Sequence, residues 1–158
     1  MSDNDEPIAD VDPRDLERIC LMSAISGQLM RAGQPIKNAR VKQSVSRVYN
    51  EGFVEKETLT DEQGYFEFPA IFEDKKPFVM IPSFSIGQTL TVYEDDEEHD
   101  FWIGSKRDGL ENTESKGKQL EVLCEMNAEE KNQVFIDESF YLSHCKWNVV
   151  SDEDPYDF

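Results

Sequence analysis

Thr60-Asp61-Glu62-Gln63-Gly64-Tyr65-Phe66-Glu67-Phe68 decides how this chain is read. Asp61 is placed to accept a hydrogen bond from the backbone two residues on, and Gly64 supplies the positive φ that closes a tight turn without a Cβ clash. Alternation resumes directly afterwards, with Phe66 and Phe68 on one face and Tyr65 and Glu67 on the other. With Val54 to Leu59 before it, the stretch is expected to form a β-hairpin. Upstream stands a second phrase, Gly33-Gln34-Pro35-Ile36-Lys37-Asn38-Ala39-Arg40-Val41. There Gly33 permits a turn, Pro35 starts an extended segment and Asn38 tolerates a left-handed backbone.

Taken together, G-x-P-x-x-x-A-x-V and T-D-x-x-G-x-F-x-F resemble the carboxypeptidase regulatory-like domain, a transthyretin-like (prealbumin-like) sandwich. The resemblance extends over residues 23 to 81, with Asn38 in place of the usual glycine. The wider layout, with Trp102 and two late cysteines, is similar to small stand-alone bacterial members of that group. It implies an all-β, Greek-key β-sandwich of about seven or eight strands. It implies no activity.

The remaining pattern suits such a fold. Strands are expected from Cys20 to Met30, from Ala39 to Val48 with a bulge, over the apolar run Phe78–Ile81, and from Gln88 to Tyr93. Phe101–Ile103 returns from the last of these as a hairpin, and Lys106 to Lys118 reads as a polar loop. Leu120–Cys124, Val134–Ile136, Phe140–Leu142 and Cys145–Val150 complete the set. The expected organisation is an acidic leader (1–17), one sandwich domain (18–150) and an acidic tail (151–158).

Composition restricts function more than it reveals it. The 158 residues carry 34 acidic and 16 basic side chains, a formal charge of −18. Phosphate contacts need Lys and Arg, so nucleic acid is an improbable partner, and anionic membrane surfaces are disfavoured for the same reason. The chain as given shows neither a basic, apolar leader nor a run of roughly 18–20 apolar residues, which points to the cytoplasm. Three cysteines without a C-x-x-C spacing argue against zinc or redox motifs. Cys124 and Cys145 are expected as neighbouring thiols, free in a reducing cytoplasm.

No catalytic or cofactor set emerges. The two histidines, His99 and His144, have no nucleophile at a useful spacing. The acid run Glu94-Asp95-Asp96-Glu97-Glu98-His99-Asp100 lacks the glycine that bends calcium loops. It reads as a solvated hairpin tip, and Glu94, Asp95, Asp96, Glu97, Glu98, Asp100 and Trp102 are the candidate partner-binding residues. Gly33, Pro35, Asn38, Asp61 and Gly64 are expected to be structural turn residues. The sequence therefore points to a non-enzymatic domain that binds a basic protein, such as a bacterial immunity protein neutralising a basic toxin or nuclease. An adaptor for a secretion machine and an enzyme of unrecognised type are the alternatives, and oligomeric state is open.

Overall fold

The two phrases are one physical unit in the computed structural model, which describes residues 17–81, 85–147 and 149. Thr60 joins them: its hydroxyl donates to the Ile36 carbonyl (2.7 Å) and accepts from the Ala39 N–H (2.8 Å). Asp61 Oδ1 accepts from the N–H groups of Gln63 and Tyr65, both at 2.9 Å. Gly64 has φ +84°, and a Cβ there would lie 2.5 Å from the Leu29 carbonyl oxygen. Left-handed backbone at Asn38 (φ 52°) completes the connection.

The chain is all-β, with strands β1 (Arg18–Met22), β2 (Ile25–Arg31), β3 (Gln34–Pro35), β4 (Arg40–Ser46), β5 (Phe53–Leu59), β6 (Tyr65–Phe68) and β7 (Ile71–Asp74) in its first half. Then follow β8 (Ile86–Glu94), β9 (Glu97–Lys106), β10 (Leu120–Glu125), β11 (Lys131–Val134), β12 (Phe140–Ser143) and β13 (Cys145–Lys146). A six-stranded sheet runs β11-β12-β9-β8-β4-β5; a second sheet joins β13, β10, β2 and β3, with β6 also on β2; β1 and β7 form a third. All pairings are antiparallel except β2 with β10. One apolar core lies between them, drawing Leu29, Phe66 and Val122 from one sheet and Val41, Leu90 and Trp102 from the other.

The expected hairpin across Gly64 does not form. β5 pairs with β4, while β6 crosses to pair with β2, so the turn carries the chain from one sheet to the other. Local turn chemistry is the same in both cases, and only the partners differ. The first expected strand is broken at Ser23-Ala24 into β1 and β2, which join different sheets.

β4 has no bulge in its pairing with either neighbour. Its buried face is Val41, Gln43 and Val45, and the enclosed Gln43 is what disguises the alternation. A real irregularity falls where Leu90 faces Trp102 and Thr91 faces Asp100, so Phe101 is the extra residue. Phe101 and Trp102 are consequently both buried. Phe78–Ile81 is not a strand: Phe78 and Met80 are exposed in a loop. The leader up to residue 16 and the tail from 151 lie outside the described residues, as does Val150.

Gly64→Ala should lower unfolding free energy by about 2–4 kcal/mol, since backbone blocks the new methyl and φ is positive. Gly33→Ala, at φ +77° with nothing within 4 Å of its Cβ, should cost only about 1 kcal/mol. Urea denaturation of both variants checks this, and equal losses would contradict the crowding at Gly64.

Candidate functional site

Two tight hairpins meet at one end of the molecule. β2 turns into β3 through Ala32 (φ 52°) and Gly33 (φ 77°), and β8 turns into β9 through Asp95 (φ 49°) and Asp96 (φ 68°). Two consecutive left-handed residues are the signature of the turn that matches strand twist. The residues entering the turns, Arg31 and Glu94, are ion-paired, with Arg31 Nε 3.2 Å from Glu94 Oε2. Arg31 also donates from Nη1 to Asn127 Oδ1 at 2.9 Å.

Glu125, at the end of β10, completes the brace. Its carboxylate accepts the N–H groups of Ala32 (2.9 Å), Gly33 (2.8 Å) and Asn127 (2.9 Å). Those donors hold its pKa below the ordinary glutamate value, the Asn127 N–H contributing most. An open groove of about 710 Å³ lies beside the hairpins, lined by Arg31, Lys37, Asn38, Tyr93, Glu94 and Asp95 among others.

Of the acid run, Asp95, Asp96, Glu97, Glu98 and Asp100 are exposed, whereas Glu94 is half-buried against Arg31. The run is mostly strand: only Asp95 and Asp96 form the tip, and Glu97 to Asp100 are already in β9. Asp100 accepts a hydrogen bond from the Thr91 hydroxyl at 2.7 Å. Trp102 does not belong with these residues. It is fully buried, with its Nε1–H donating to Gln88 Oε1 at 3.0 Å, and no partner can touch it.

The outer face of the six-stranded sheet has two unlike halves. Near the acidic hairpin it carries charges in pairs, Lys42 with Glu55 (3.3 Å) and Arg40 with Glu57 (3.6 Å), and Arg40 lies over the Tyr93 ring. Farther along, Ser44, Thr89, Ile103 and Leu142 make one cross-strand row. Gly87, Ser105 and Phe140 make the next, extended by Ser46, whose hydroxyl accepts the Gly87 N–H at 2.7 Å. On β4, β8, β9 and β12 neither row holds a charged residue, but on β5 the first row continues at Glu55, opposite Ser44.

Several buried polar groups elsewhere are engaged within the fold, although the buried Gln43 Oε1 has no hydrogen-bond partner. Glu114, fully enclosed in the 107–119 loop, accepts from the Ser23 N–H (2.9 Å), the Ser23 hydroxyl (2.6 Å) and Gln88 Nε2 (3.0 Å). Lys106 Nζ lies 2.9 Å from Asp108 Oδ1 and also donates to the Asp108 and Cys20 carbonyls. Cys20 is a free thiol pushed up to about 12 by burial and by the negative charge of Glu114, which makes it a poor nucleophile. His144 bonds the Ala128 carbonyl at 2.7 Å, while His99 sits on β9 opposite Val92. Among the described residues, no group of three or more His, Cys, Asp or Glu is arranged to hold a metal ion.

Cys124 and Cys145 are neighbours across β10 and β13, and their sulfurs are joined as a disulfide, not held as the free pair expected of a reducing compartment. Sequence reasoning passed over Arg31 and Glu125. Arg31 precedes Ala32-Gly33 as Glu94 precedes Asp95-Asp96, so opposite charges in matching turn positions were the available signal. Glu125 was harder to see: Asn127 is a local partner, but the turn N–H groups of Ala32 and Gly33 that it braces lie more than ninety positions away in the chain.

The fold and this braced end define an all-β domain presenting an acidic hairpin. The chain belongs to the family described as domain of unknown function DUF6795, which matches residues 25–129. That span holds both hairpins, Glu125 and the phrases around Gly33 and Thr60. No curated protein and no solved structure matches the chain.

β13 is only two residues long and leads to Trp147, which packs 4.9 Å from Trp102 and donates to the Glu114 carbonyl at 3.0 Å. Reduction by a dithiol, or Cys145→Ser, should cost about 3 kcal/mol for a closed loop of this size. Tryptophan emission should shift to longer wavelength as Trp147 loosens. An unchanged urea midpoint would show that packing alone holds the strand.

Proposed function

We propose that this domain is a non-enzymatic protein-binding module whose acidic β8–β9 hairpin docks a basic partner. Its concrete form would be a bacterial immunity protein that binds and neutralises a basic toxin or effector, a nuclease being one such. The observation that carries this reading is the brace at Arg31. It fixes the entry to the hairpin at Glu94 while leaving Asp95, Asp96, Glu97 and Glu98 exposed, so the acid run is presented on rigid backbone.

Rigid presentation of like charge loses little conformational entropy on binding and steers a basic surface over a distance of about 10 Å at moderate salt. The surrounding −18 charge acts in the same direction. For the finer architecture we propose the transthyretin-like, Greek-key sandwich of carboxypeptidase regulatory-like domains, supported by the linkage of the Gly33 and Thr60 phrases through the Thr60 hydroxyl. A cytoplasmic location, the expectation from sequence, sits uneasily with the Cys124–Cys145 bond, which favours an oxidising compartment.

Affinity capture from the native cell should recover a basic protein with the wild-type domain. Its retention should fall steeply between about 0.05 M and about 0.5 M salt. A variant with Asp95, Asp96, Glu97 and Glu98 all replaced by Ser should lose it. Recovery of a basic partner that is indifferent to both salt and the variant would sink the hairpin as the docking site.

A further inference from the structure

We infer that the free edge of β5 is a strand-addition site, on which an extended, basic segment of a partner protein docks. β5 ends the six-stranded sheet, and its seven residues pair with β4 without interruption. Register fixes which way each backbone group points. Just beyond the two ends of the ladder, Arg47 donates its N–H to the Gly52 carbonyl (3.0 Å) and Thr60 donates to the Ala39 carbonyl (2.9 Å). Bonded pairs alternate in an antiparallel ladder, so Val54, Lys56 and Thr58 bond toward β4. Phe53, Glu55, Glu57 and Leu59 turn their N–H and C=O groups outward, and no described strand pairs with them. An edge of this length, with neither bulge nor proline, is open to another strand.

Two hollows lie along this edge on the inner side of the sheet. Val54 and Lys56 border one of about 270 Å³ with Leu21, Ile71 and Phe72. Thr58 borders another of about 540 Å³ with Leu59, Tyr65 and Phe66, between β5 and β6. Charged residues line them too, Arg47 and Glu73 in the first, Asp61 and Glu67 in the second. A strand added beside β5 points alternate side chains inward, and those opposite Val54 and Thr58 stand about 13 Å apart. Apolar side chains at these two positions reach the two hollows.

Charge selects the occupant. Glu55 and Glu57 are paired with Lys42 and Arg40 of β4, yet their side chains remain 55% and 49% exposed. Lys or Arg on an added strand, opposite each glutamate, supplies a second counter-charge from the open side. Lys56 lies between them on the inner face, so the residue facing it is polar or acidic. The fitting segment therefore reads apolar, basic, polar, basic, apolar. These same charges turn away a second copy of the chain. Full-length antiparallel pairing sets Glu55 opposite Glu57 of the other copy, twice over, and Lys56 opposite itself; a slip of two residues either way still sets one glutamate opposite itself. This edge is separate from the β8–β9 hairpin, and either site can fail without the other.

Amide hydrogen exchange of the full chain, read residue by residue by NMR, tests this with the end-capped heptapeptide TVKTRVT as probe. In the free chain the Val54, Lys56 and Thr58 amides should be protected, while those of Glu55 and Glu57 exchange fast. With about 1 mM probe, Glu55 and Glu57 should slow at least about tenfold. TVETEVT, with acids in the two basic positions, should bind at least about tenfold more weakly. No slowing at Glu55 and Glu57 overturns the inference, as does slowing confined to the amides of Asp95 to Glu98. Equal binding of the two peptides removes charge as the selector and overturns it too. Protection of Glu55 and Glu57 without peptide would give the edge to another occupant: a second copy if it rises with chain concentration, the chain itself if it does not.

Discussion

The side-chain amide of Gln88 is the junction on which the rest of the packing depends. Its Nε2 donates to the Leu21 carbonyl (3.1 Å) and to Glu114 Oε2 (3.0 Å), and its Oε1 accepts from the Trp102 indole (3.0 Å). One residue of β8 thereby holds β1, the central tryptophan of β9 and the 107–119 loop. Glu114 extends the network to Ser23, in the break between β1 and β2, and through its own carbonyl to Trp147. Every added bond satisfies a group that burial would otherwise leave costly. Close approach is needed as well: a Cβ on Gly104 would meet the Tyr141 ring at 2.5 Å and Gln88 Oε1 at 3.2 Å.

That junction explains why some of the fold could be read in the sequence and some could not. Turn chemistry is local, so Asp61 and Gly64 act in the structure through the bonds and the positive φ that their types suggest. Partner choice is not local. The strands on either side of Gly64 enter different sheets because Phe66 and Phe68 face the core beside β2, which no nearby residue signals. Gln43 and Gln88 occupy inward positions that an apolar pattern cannot reveal. Strict alternation turns only one of two neighbouring residues inward, whereas the irregularity at Phe101 buries both Phe101 and Trp102. Phe78–Ile81 fails for the converse reason, since an apolar run with no sheet to join is left in a loop.

The acidic hairpin was legible as a charge run closed by a return strand, but its rigidity was not. Rigidity comes from Arg31 and Glu125, which reach the turns from other strands and whose spacing in sequence is long. Trp102 moved from the candidate surface to the interior, where it contributes to the junction. The outer sheet face follows from register: the pairs Lys42–Glu55 and Arg40–Glu57 lie toward the acidic hairpin, and Ser44, Thr89 and Ile103 follow farther along.

Urea unfolding of Gln88→Leu is the most direct test of the junction. Leucine fills a similar space but strands the Trp102 N–H and removes a donor from the enclosed Glu114 carboxylate. A loss of about 3–5 kcal/mol is expected from one unpaired indole and one under-solvated carboxylate. A loss below about 1 kcal/mol, the level of an ordinary single hydrogen bond, would contradict the central place given to Gln88.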